Sequence, residues 1–407
     1  MRISLRFQTV GFLLLLGYLA FIPTGPYPIY IVSGLRLDVI FGLLLLSFCF
    51  VYLGKIGKYP DILVLAWLFY FFIVFLSAIL SVDIELSARN SFVIFGYSVI
   101  TLVVPVVFVS RANVIRRWLF LTSVLVSIYI IYIYTTHGFA HDHRFSLSAG
   151  DLSFASAKEA GLAAVDPNMT AAGIILGLIV YFPNLFDNCR RLFWDSLGSI
   201  CILLASVITL SRSAVLGFVL SISFSFLIVS VATLNWKDPL ILNRKILVSL
   251  SVFLVTIPGV IFLGYIIFPE IIDKLTERIA SSADDSFRIS LLVNSLDVFM
   301  TDIKTIVIGS GFMTTNPHNE YMRTLSTMGL LGLMGSIFFF GYMFYLAITY
   351  LSRSNRMMFS ALSIIVFMMT VSLFYGYTKL IWVAWMFLLL LYREALVGFH
   401  VSAVRVT

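Results

Sequence analysis

The chain has 407 residues, of which 60% are hydrophobic, only 12% are charged and 38 are phenylalanine. Soluble globular proteins are about 45–50% apolar and about 25% charged, so this composition excludes a soluble domain. The net charge is +7. It does not indicate nucleic-acid binding, because the basic residues are spread in small groups between apolar runs instead of clustering on one surface. We therefore expect an integral membrane protein.

Twelve apolar runs follow one another along the chain, most of them near the length of about 20 residues at which a helix crosses a bilayer core. They lie at about 9–23, 37–54, 62–80, 91–109, 115–134, 168–186, 197–210, 214–234, 246–268, 325–351, 359–376 and 380–392. The first run follows Arg2 and Arg6 as in a signal peptide, but no small-x-small cleavage site follows it, so we interpret it as a retained span. The sequence predicts an all-α polytopic membrane protein, with residues 1–407 forming a single membrane domain.

Basic residues are unequally divided between alternate connections. With the N-terminus inside, sixteen Lys and Arg residues fall on the inner side and four in the short outer loops. The positive-inside rule then predicts that both termini are cytoplasmic. Two long outer loops, residues 135–167 and 269–324, hold four of the five histidines. We expect the second loop, between spans nine and ten, to be partly helical and to act as a catalytic lid.

Arg212 is the only charged residue between Leu197 and Leu234. A guanidinium at the bilayer centre costs about 2.5–3.5 kcal/mol on insertion scales. Two spans should therefore meet in a turn over residues 210–213, with Arg212 at the outer interface. An interfacial arginine often does no more than extend to the headgroups, so structural and functional roles both stay open from the residues alone.

The second long loop contains a predicted amphipathic helix. Ser281 to Asp285 supply N-cap residues, and apolar residues then recur at helical spacing. These are Ile289, Leu292, Val293, Leu296, Phe299 and Met300. We expect this helix to lie on the membrane or on the helix bundle. Arg288 falls in its first turn, one turn after Asp284 and Asp285, where an ordinary ion pair would also explain it.

His318 precedes the tenth span. Asn316 and Pro317 predict an N-cap and a first helical residue, which would place His318 in the first turn. The positive end of the helix dipole disfavours an imidazolium, leaving a neutral proton acceptor, and attracts phosphate. A histidine without function at the interface fits equally well. Three glycines predict close packing of this span: Gly329, Gly332 and Gly335.

Other polar residues give weaker signals. Asp166 and Pro167 fit a helix start before span six, and a polar role for Asn168 is open. His137, His141 and His143 have neither a cysteine nor a carboxylate at ligand spacing, which favours a solvated loop over a metal site. The sequence lacks phosphate-binding-loop, HExxH and GxSxG motifs, so nucleotide-driven transport, metalloprotease and hydrolase activities lose support.

Several segments together resemble the O-antigen ligase and polymerase superfamily of bacterial envelope glycosyltransferases. The segments are Ile208–Gly217, Asp285–Ile289, Gly309–Phe312 and Pro317–Gly332, and residues 166–168 match a frequent feature of the family. No single motif is decisive, but their order and spacing are specific. The resemblance covers about residues 160 to 350 by motif and the whole chain by topology.

The resemblance implies an enzyme of the bacterial inner membrane, with its active site facing the periplasm. Such enzymes transfer a glycan from undecaprenyl diphosphate to a sugar hydroxyl. It implies that Arg212 and Arg288 hold the diphosphate, while His318 removes a proton from the attacking hydroxyl and the anomeric carbon inverts. With two arginines in that role no metal or other cofactor is required. Further residues expected to contact substrate are Asn168, Asn319 and Arg323.

The acceptor stays open between closely matched alternatives. A ligase would use lipid A-core as acceptor, whereas an O-antigen or exopolysaccharide polymerase would join repeat units. Besides the glycan donor and acceptor, we expect membrane lipids and no nucleic acid as partners. A transporter or flippase is a weaker alternative, because such proteins usually carry ionisable residues and broken helices near the membrane midplane.

Overall fold

The protein is described here from a computed structural model. It describes residues 2–24, 30–32, 35–137, 167–184, 189–209, 211–233, 283–312, 319–351, 354–373 and 378–404. Eleven of the twelve predicted apolar runs coincide with helices in these ranges, and the ninth, residues 246–268, lies outside them. A small antiparallel hairpin, β1 (Tyr30–Val32) and β2 (Leu35–Arg36), was not predicted.

The described α-helices are α1 (Arg2–Ala20), α2 (Leu37–Val51), α3 (Asp61–Ile79), α4 (Ile84–Phe108), α5 (Ala112–His137), α6 (Pro167–Tyr181), α7 (Cys189–Ile208), α8 (Arg212–Thr233), α9 (Ala283–Phe299), α10 (Ile303–Ile308), α11 (Glu320–Leu351), α12 (Asn355–Ser372) and α13 (Thr378–Val404). Short 3-10 turns occur at Leu53–Lys58, Val109–Arg111 and Phe182–Asn184. The helical part of the fold prediction is confirmed.

Within the described ranges, four segments are long and apolar enough to cross a membrane. They are Asp61–Ile79, Ile84–Thr135, Glu320–Leu351 and Lys379–Val397. At 1.5 Å per residue, the 19 residues of α3 rise about 28 Å, which matches a bilayer core of about 30 Å. The remaining apolar helices are shorter. The protein thus has the helices of an all-α membrane protein, while the number of twelve spans stays a prediction.

The chain divides into two compact units. The first unit comprises Met1–Leu43, Asn113–Ser281 and Ser354–Phe367. The second unit comprises Leu44–Ala112, Ser282–Arg353 and Met368–Thr407. Because each unit draws on three separate stretches of the chain, the division does not correspond to consecutive sequence domains.

Helix α6 forms the centre of the first unit. Every residue from Ala171 to Tyr181 is buried, as expected for a helix that is apolar on all sides. A side chain at Gly173 would meet the backbone of Ile22, and one at Gly177 would overlap Ser123 of α5. The two glycines therefore allow the neighbouring backbones to approach closely.

The second unit has an aromatic core formed by α3, α11 and α13. The Tyr70 ring lies 5.9 Å from the Phe339 ring and 6.3 Å from the Trp382 ring, measured between centroids. Helix α4 is tied to this core by the Thr101 hydroxyl, which donates to the carbonyl of Trp382 at 2.8 Å. This core packs α11 against α3.

Two contacts in the second unit join chain segments that the charge distribution predicts on the same membrane side. Arg393 donates to the carbonyl of Lys58 at 3.2 Å, and both are predicted inside. Lys304 donates to the carbonyl of Leu80 at 2.7 Å, and both are predicted outside. The contacts agree with the predicted alternation of helices, and the side that each end faces stays a prediction.

Candidate functional site

Arg212 is the first residue of α8. Helix α7 ends at Ile208, so the predicted break between two helices is present, while their role as membrane spans and the position of Arg212 at the outer interface stay predictions. The carbonyl of Ser211 accepts the first helical hydrogen bond, from the amide of Val215 at 3.2 Å, and Ser211 is buried. The backbone of Arg212 is thus held at a helix N-terminus, where the helix dipole favours a bound anion. Its side chain lies outside the described part of the structure.

Arg288 belongs to α9, the helix predicted in the second long loop. The helix begins at Ala283, so Arg288 is its sixth residue and lies in the second turn instead of the predicted first. Only its backbone position is described. Helix α9 packs against α11 within the second unit, and this contact brings the Arg288 helix to the helix that carries the motif after His318.

The tenth predicted span begins later than expected. Its first residue is Glu320, and Asn319 is the N-cap, because the Asn319 side-chain oxygen accepts from the amide of Met322 at 3.0 Å. The prediction of Pro317 as the first helical residue was wrong. Asn319 also donates through its side-chain amide to the carbonyl of Leu373 at 2.8 Å, so a tertiary contact reinforces this helix start. His318 lies outside the described residues.

Helix α11 is interrupted at Gly329. This residue has φ of 64° and ψ of −164°, a conformation that is essentially restricted to glycine. The carbonyls before it are satisfied by another segment: the amides of Ser310 and Gly311 donate to the carbonyls of Ser326 and Thr327 at 3.0 and 3.1 Å. The interruption divides α11 into a first arm, residues 320–328, and a second arm, residues 330–351.

The two arms fold back on each other. A Cβ atom at Gly332 would overlap that of Met328, whereas Cβ atoms four residues apart in a straight helix are about 5–6 Å apart. Glu320 and Phe339 would be separated by about 28 Å along a straight helix. Instead, Phe339 stacks on Tyr70 and Glu320 interacts electrostatically with the same tyrosine. Gly329 is therefore the apex of a helical hairpin.

The hairpin places the start of the first arm beside the middle of α3. The Ser77 hydroxyl donates to the carbonyl of Thr327 at 2.6 Å, near the apex, while Glu320 lies within electrostatic range of Tyr70. Tyr70 and Ser77 are seven residues apart on α3, and Glu320 and Thr327 are seven residues apart on the first arm. The first arm therefore runs in the same direction as α3 for about 10 Å. The first arm thus lies alongside α3, and the depth of Asn319 relative to a membrane rim stays a prediction.

A tight backbone contact holds the apex. We call it the clasp, and it consists of residues 307–311 packed against residues 326–329. A side chain at Gly309, which has φ of 89°, would overlap the backbone of Thr327 and Met328. A side chain at Gly329 would overlap the backbone of Val307 and Ile308. The predicted close packing is confirmed, and its cause is a mutual approach of two backbones.

The first arm carries a partly buried charged pair. Arg323 is buried and forms a salt bridge with Glu320, one turn earlier in the same arm. Both side chains also interact electrostatically with Tyr70. Charged groups in apolar surroundings are stable only when paired. Glu320 therefore compensates much of the Arg323 charge, which reduces what Arg323 could contribute to binding an anion.

The other predicted residues lie in the first unit or outside the described ranges. Asn168 is buried in the first turn of α6, and α6 packs against α8, the helix that Arg212 begins. His137 ends α5, while His141 and His143 lie outside the described residues. The structure thus pairs the helices of Arg212 and Asn168 in one unit and the helices of Arg288 and Asn319 in the other.

Sequence reasoning missed the clasp and the Glu320–Arg323 pair. The signals were present, since Gly309 and Gly311 flank a serine and a third glycine, Gly329, interrupts an apolar run. The contact between the segment of Gly309 and Gly311 and the segment of Gly329 could not be predicted from their spacing in the sequence. Compared with known proteins, the chain matches no protein-family model and no curated protein. The resemblance to O-antigen ligases and polymerases therefore rests on the motifs themselves.

Proposed function

We propose that this protein is a glycosyltransferase of the O-antigen ligase type. It would transfer a glycan from undecaprenyl diphosphate to a sugar hydroxyl of lipid A-core. The observation that supports the proposal most is the position of the motif that follows His318. This motif begins a half-helix that lies alongside α3, ends at the Gly329 interruption and carries a partly buried ion pair.

Such an arrangement is costly for a purely structural element. An interrupted helix leaves backbone groups that need other partners, and ionisable side chains among apolar helices are typically retained for function. Here the clasp supplies partners through hydrogen bonds from Ser310 and Gly311, and Ser77 of α3 supplies another. The motif is therefore held by a specific supporting structure, as a catalytic segment requires.

The proposed reaction is a direct displacement at the anomeric carbon. Neutral His318 accepts the proton of the attacking hydroxyl as the new glycosidic bond forms. The bond between the anomeric carbon and the diphosphate oxygen breaks, and undecaprenyl diphosphate leaves with the bonding electrons. Arg212 and Arg288 stabilise the charge that develops on the leaving group through bidentate hydrogen bonds. Attack from the opposite face inverts the anomeric configuration, and no metal takes part.

Three further residues complete the proposed binding site. Asn319 would contact the glycan through the second N–H of its side-chain amide, because the first N–H donates to the carbonyl of Leu373. Arg323 would contact substrate while paired with Glu320. Asn168 would act from the start of α6. All six proposed residues would serve an active site on the periplasmic face of the bacterial inner membrane.

A polymerase of the same superfamily is the close alternative, and it differs only in the acceptor. The motifs that resemble the family are shared by both activities. A deletion strain distinguishes them: a single repeat attached to core indicates an O-antigen polymerase, and bare core with accumulated lipid-linked polymer indicates a ligase. Unchanged lipopolysaccharide together with loss of another surface glycan indicates an exopolysaccharide polymerase.

The direct test is His318→Ala, with His141→Ala as the matched control. General-base catalysis contributes about 10²–10⁴-fold to a rate, so polymer display should fall by at least about a hundredfold in His318→Ala. The control changes a histidine of the first loop to which no catalytic role is assigned, and it should retain activity. Membrane abundance of both variants must equal that of the wild type. Full polymer display by His318→Ala would remove the proposed catalytic role.

One observation also favours a second function, a transporter of lipid-linked glycans. Broken helices and buried ionisable residues are typical of transporters, and α11 has an interruption at Gly329 and a buried Arg323. Purified protein in proteoliposomes separates the two functions. A glycosyltransferase releases undecaprenyl diphosphate when donor and acceptor are supplied together, whereas a transporter moves the intact donor across the bilayer without cleaving it.

A further inference from the structure

Helix α9 presents three different faces. At roughly 100° per residue, its side chains fall into three groups around the helix axis. One group is apolar and exposed, with exposed fractions of 59% for Ile289, 48% for Val293, 46% for Leu296 and 60% for Met300. These four residues, which we call the apolar stripe, recur at intervals of four, three and four and therefore share one side.

The other two faces differ in polarity and in exposure. Ser295 and Phe299 are buried on the side that packs against α11, with exposed fractions of 4% and 9%. Ser290, Asn294 and Asp297 are exposed and polar. The polar face lies between the stripe and the packed face around the helix axis. A helix that packs one face against the protein and exposes one apolar face and one polar face is suited to the boundary between lipid and water.

Neighbouring helices of the second unit also expose apolar residues. Ile303 of α10 is exposed shortly after Met300, and α10 packs against α3 through the Lys304 contact with Leu80. Helix α3 in turn exposes apolar residues along one side, and it is long enough to cross a bilayer. These residues are Leu65, Leu68, Phe72 and Ile79. The exposed apolar side of α3 suits acyl chains, and the stripe has the same apolar character.

The size of the stripe argues against a protein partner. Four half-exposed side chains offer on the order of 400 Å², about half of the ~800 Å² that each partner buries in a standard protein interface. A helix lying in the interface of a bilayer needs only a narrow apolar face, inserted about 5–10 Å below the headgroups. The polar residues beside the stripe would then remain in contact with water.

We propose that α9 lies in the membrane–water interface, with Ile289, Val293, Leu296 and Met300 inserted among acyl chains and Asn294 and Asp297 facing water. This inference stands independently of the proposed reaction. It also has a consequence for that reaction, because Arg288 belongs to the same helix. An interfacial α9 places the Arg288 backbone at the depth of lipid phosphates, where the diphosphate of a lipid-linked donor would be found.

Three consecutive residues allow a matched test. Val293 is on the stripe, Asn294 on the polar face and Ser295 on the packed face. We suggest single variants Val293→Cys, Asn294→Cys and Ser295→Cys in full-length protein whose native Cys49, Cys189 and Cys201 are replaced by alanine. Each variant carries a nitroxide label in lipid nanodiscs. Collision rates with oxygen, which concentrates in lipid, and with a water-soluble nickel chelate then report the surroundings of each label.

The label at Val293 should collide with oxygen and be protected from nickel, while the label at Asn294 should be accessible to nickel. Their oxygen-to-nickel ratios should differ several-fold, and the label at Ser295 should be protected from both reagents. If Ser295→Cys does not fold, the exposed pair Leu296→Cys and Asp297→Cys supplies the same comparison. Nickel access at Val293 and Leu296 would show that the stripe faces water. Protection of the labels at Val293 and Leu296 from both oxygen and nickel would show that protein covers the stripe. Either result overturns the proposal.

Discussion

Replacing Gly329 with alanine should weaken the second unit. The backbone of Gly329 has φ of 64° and ψ of −164°, where a residue with a side chain is strained by about 1–3 kcal/mol. The added methyl would also overlap the backbone of Val307 and Ile308. Forcing extra volume into a packed site typically costs about 1–3 kcal/mol more.

Together these effects amount to about 2–6 kcal/mol, which is a change of at least about thirtyfold in a folding equilibrium constant. Gly341→Ala is the matched control, because it lies in the second arm of the same helix and has no atom within 4 Å of the added methyl. Replacing a glycine in a helix interior by alanine there should stabilise by up to about 1 kcal/mol.

Thermal unfolding in detergent, followed by fluorescence-detected size exclusion, compares both variants with the wild type. Gly329→Ala should unfold at a clearly lower temperature, and Gly341→Ala at the wild-type temperature or slightly above. If Gly329→Ala were as stable as Gly341→Ala, the clasp and the hairpin apex described above could not be correct.

Two further predictions concern residues at either end of the clasp region. The Ser77→Ala variant loses a 2.6 Å hydrogen bond to the carbonyl of Thr327, but the amide of Gly311 still donates to that oxygen, so the loss should be only about 1 kcal/mol. Ser91→Ala is the control, because the Ser91 hydroxyl donates to a carbonyl within its own helix, and this variant should be nearly as stable as the wild type in the same unfolding assay. Equal losses of stability in Ser77→Ala and Ser91→Ala would contradict this reasoning. Asp302 is the N-cap residue of α10, and hydrogen bonds from the Thr305 amide and hydroxyl hold its pKa below the ordinary value. These hydrogen bonds stabilise the helix fully above about pH 4, the pKa of an unfolded aspartate. The stabilisation is lost as the pH falls through the lower pKa of the folded state. After correction for chemical exchange rates, hydrogen exchange over residues 303–308 should accelerate in acid for the wild type and not for Asp302→Asn, and an identical acid response in both would refute the assignment.

Some of the helix boundaries around the candidate residues could be predicted from sequence, but the arrangement of those helices could not. The helix break before Arg212 was predictable, because an arginine within a 38-residue apolar stretch is costly in the middle of a membrane helix. The helix containing Arg288 was predictable from its apolar period. The start of α11 was misplaced by three residues, since Asn316 and Asn319 are both acceptable N-caps. The contact of Asn319 with Leu373, 54 positions away, favours the later start.

Composition and periodicity by themselves determined that this chain is helical, apolar and suited to a membrane, because those properties depend on which residues are present and how often they recur. Tertiary structure alone decided that α11 folds back at Gly329 and that Gly309 and Gly311 hold the fold-back together. The physical reason is that a helix interruption is stable only when its unpaired carbonyls find donors elsewhere. Those donors come from a segment about 16 residues earlier, at Ser310 and Gly311, and from Ser77, which is 250 residues away from the carbonyl it binds.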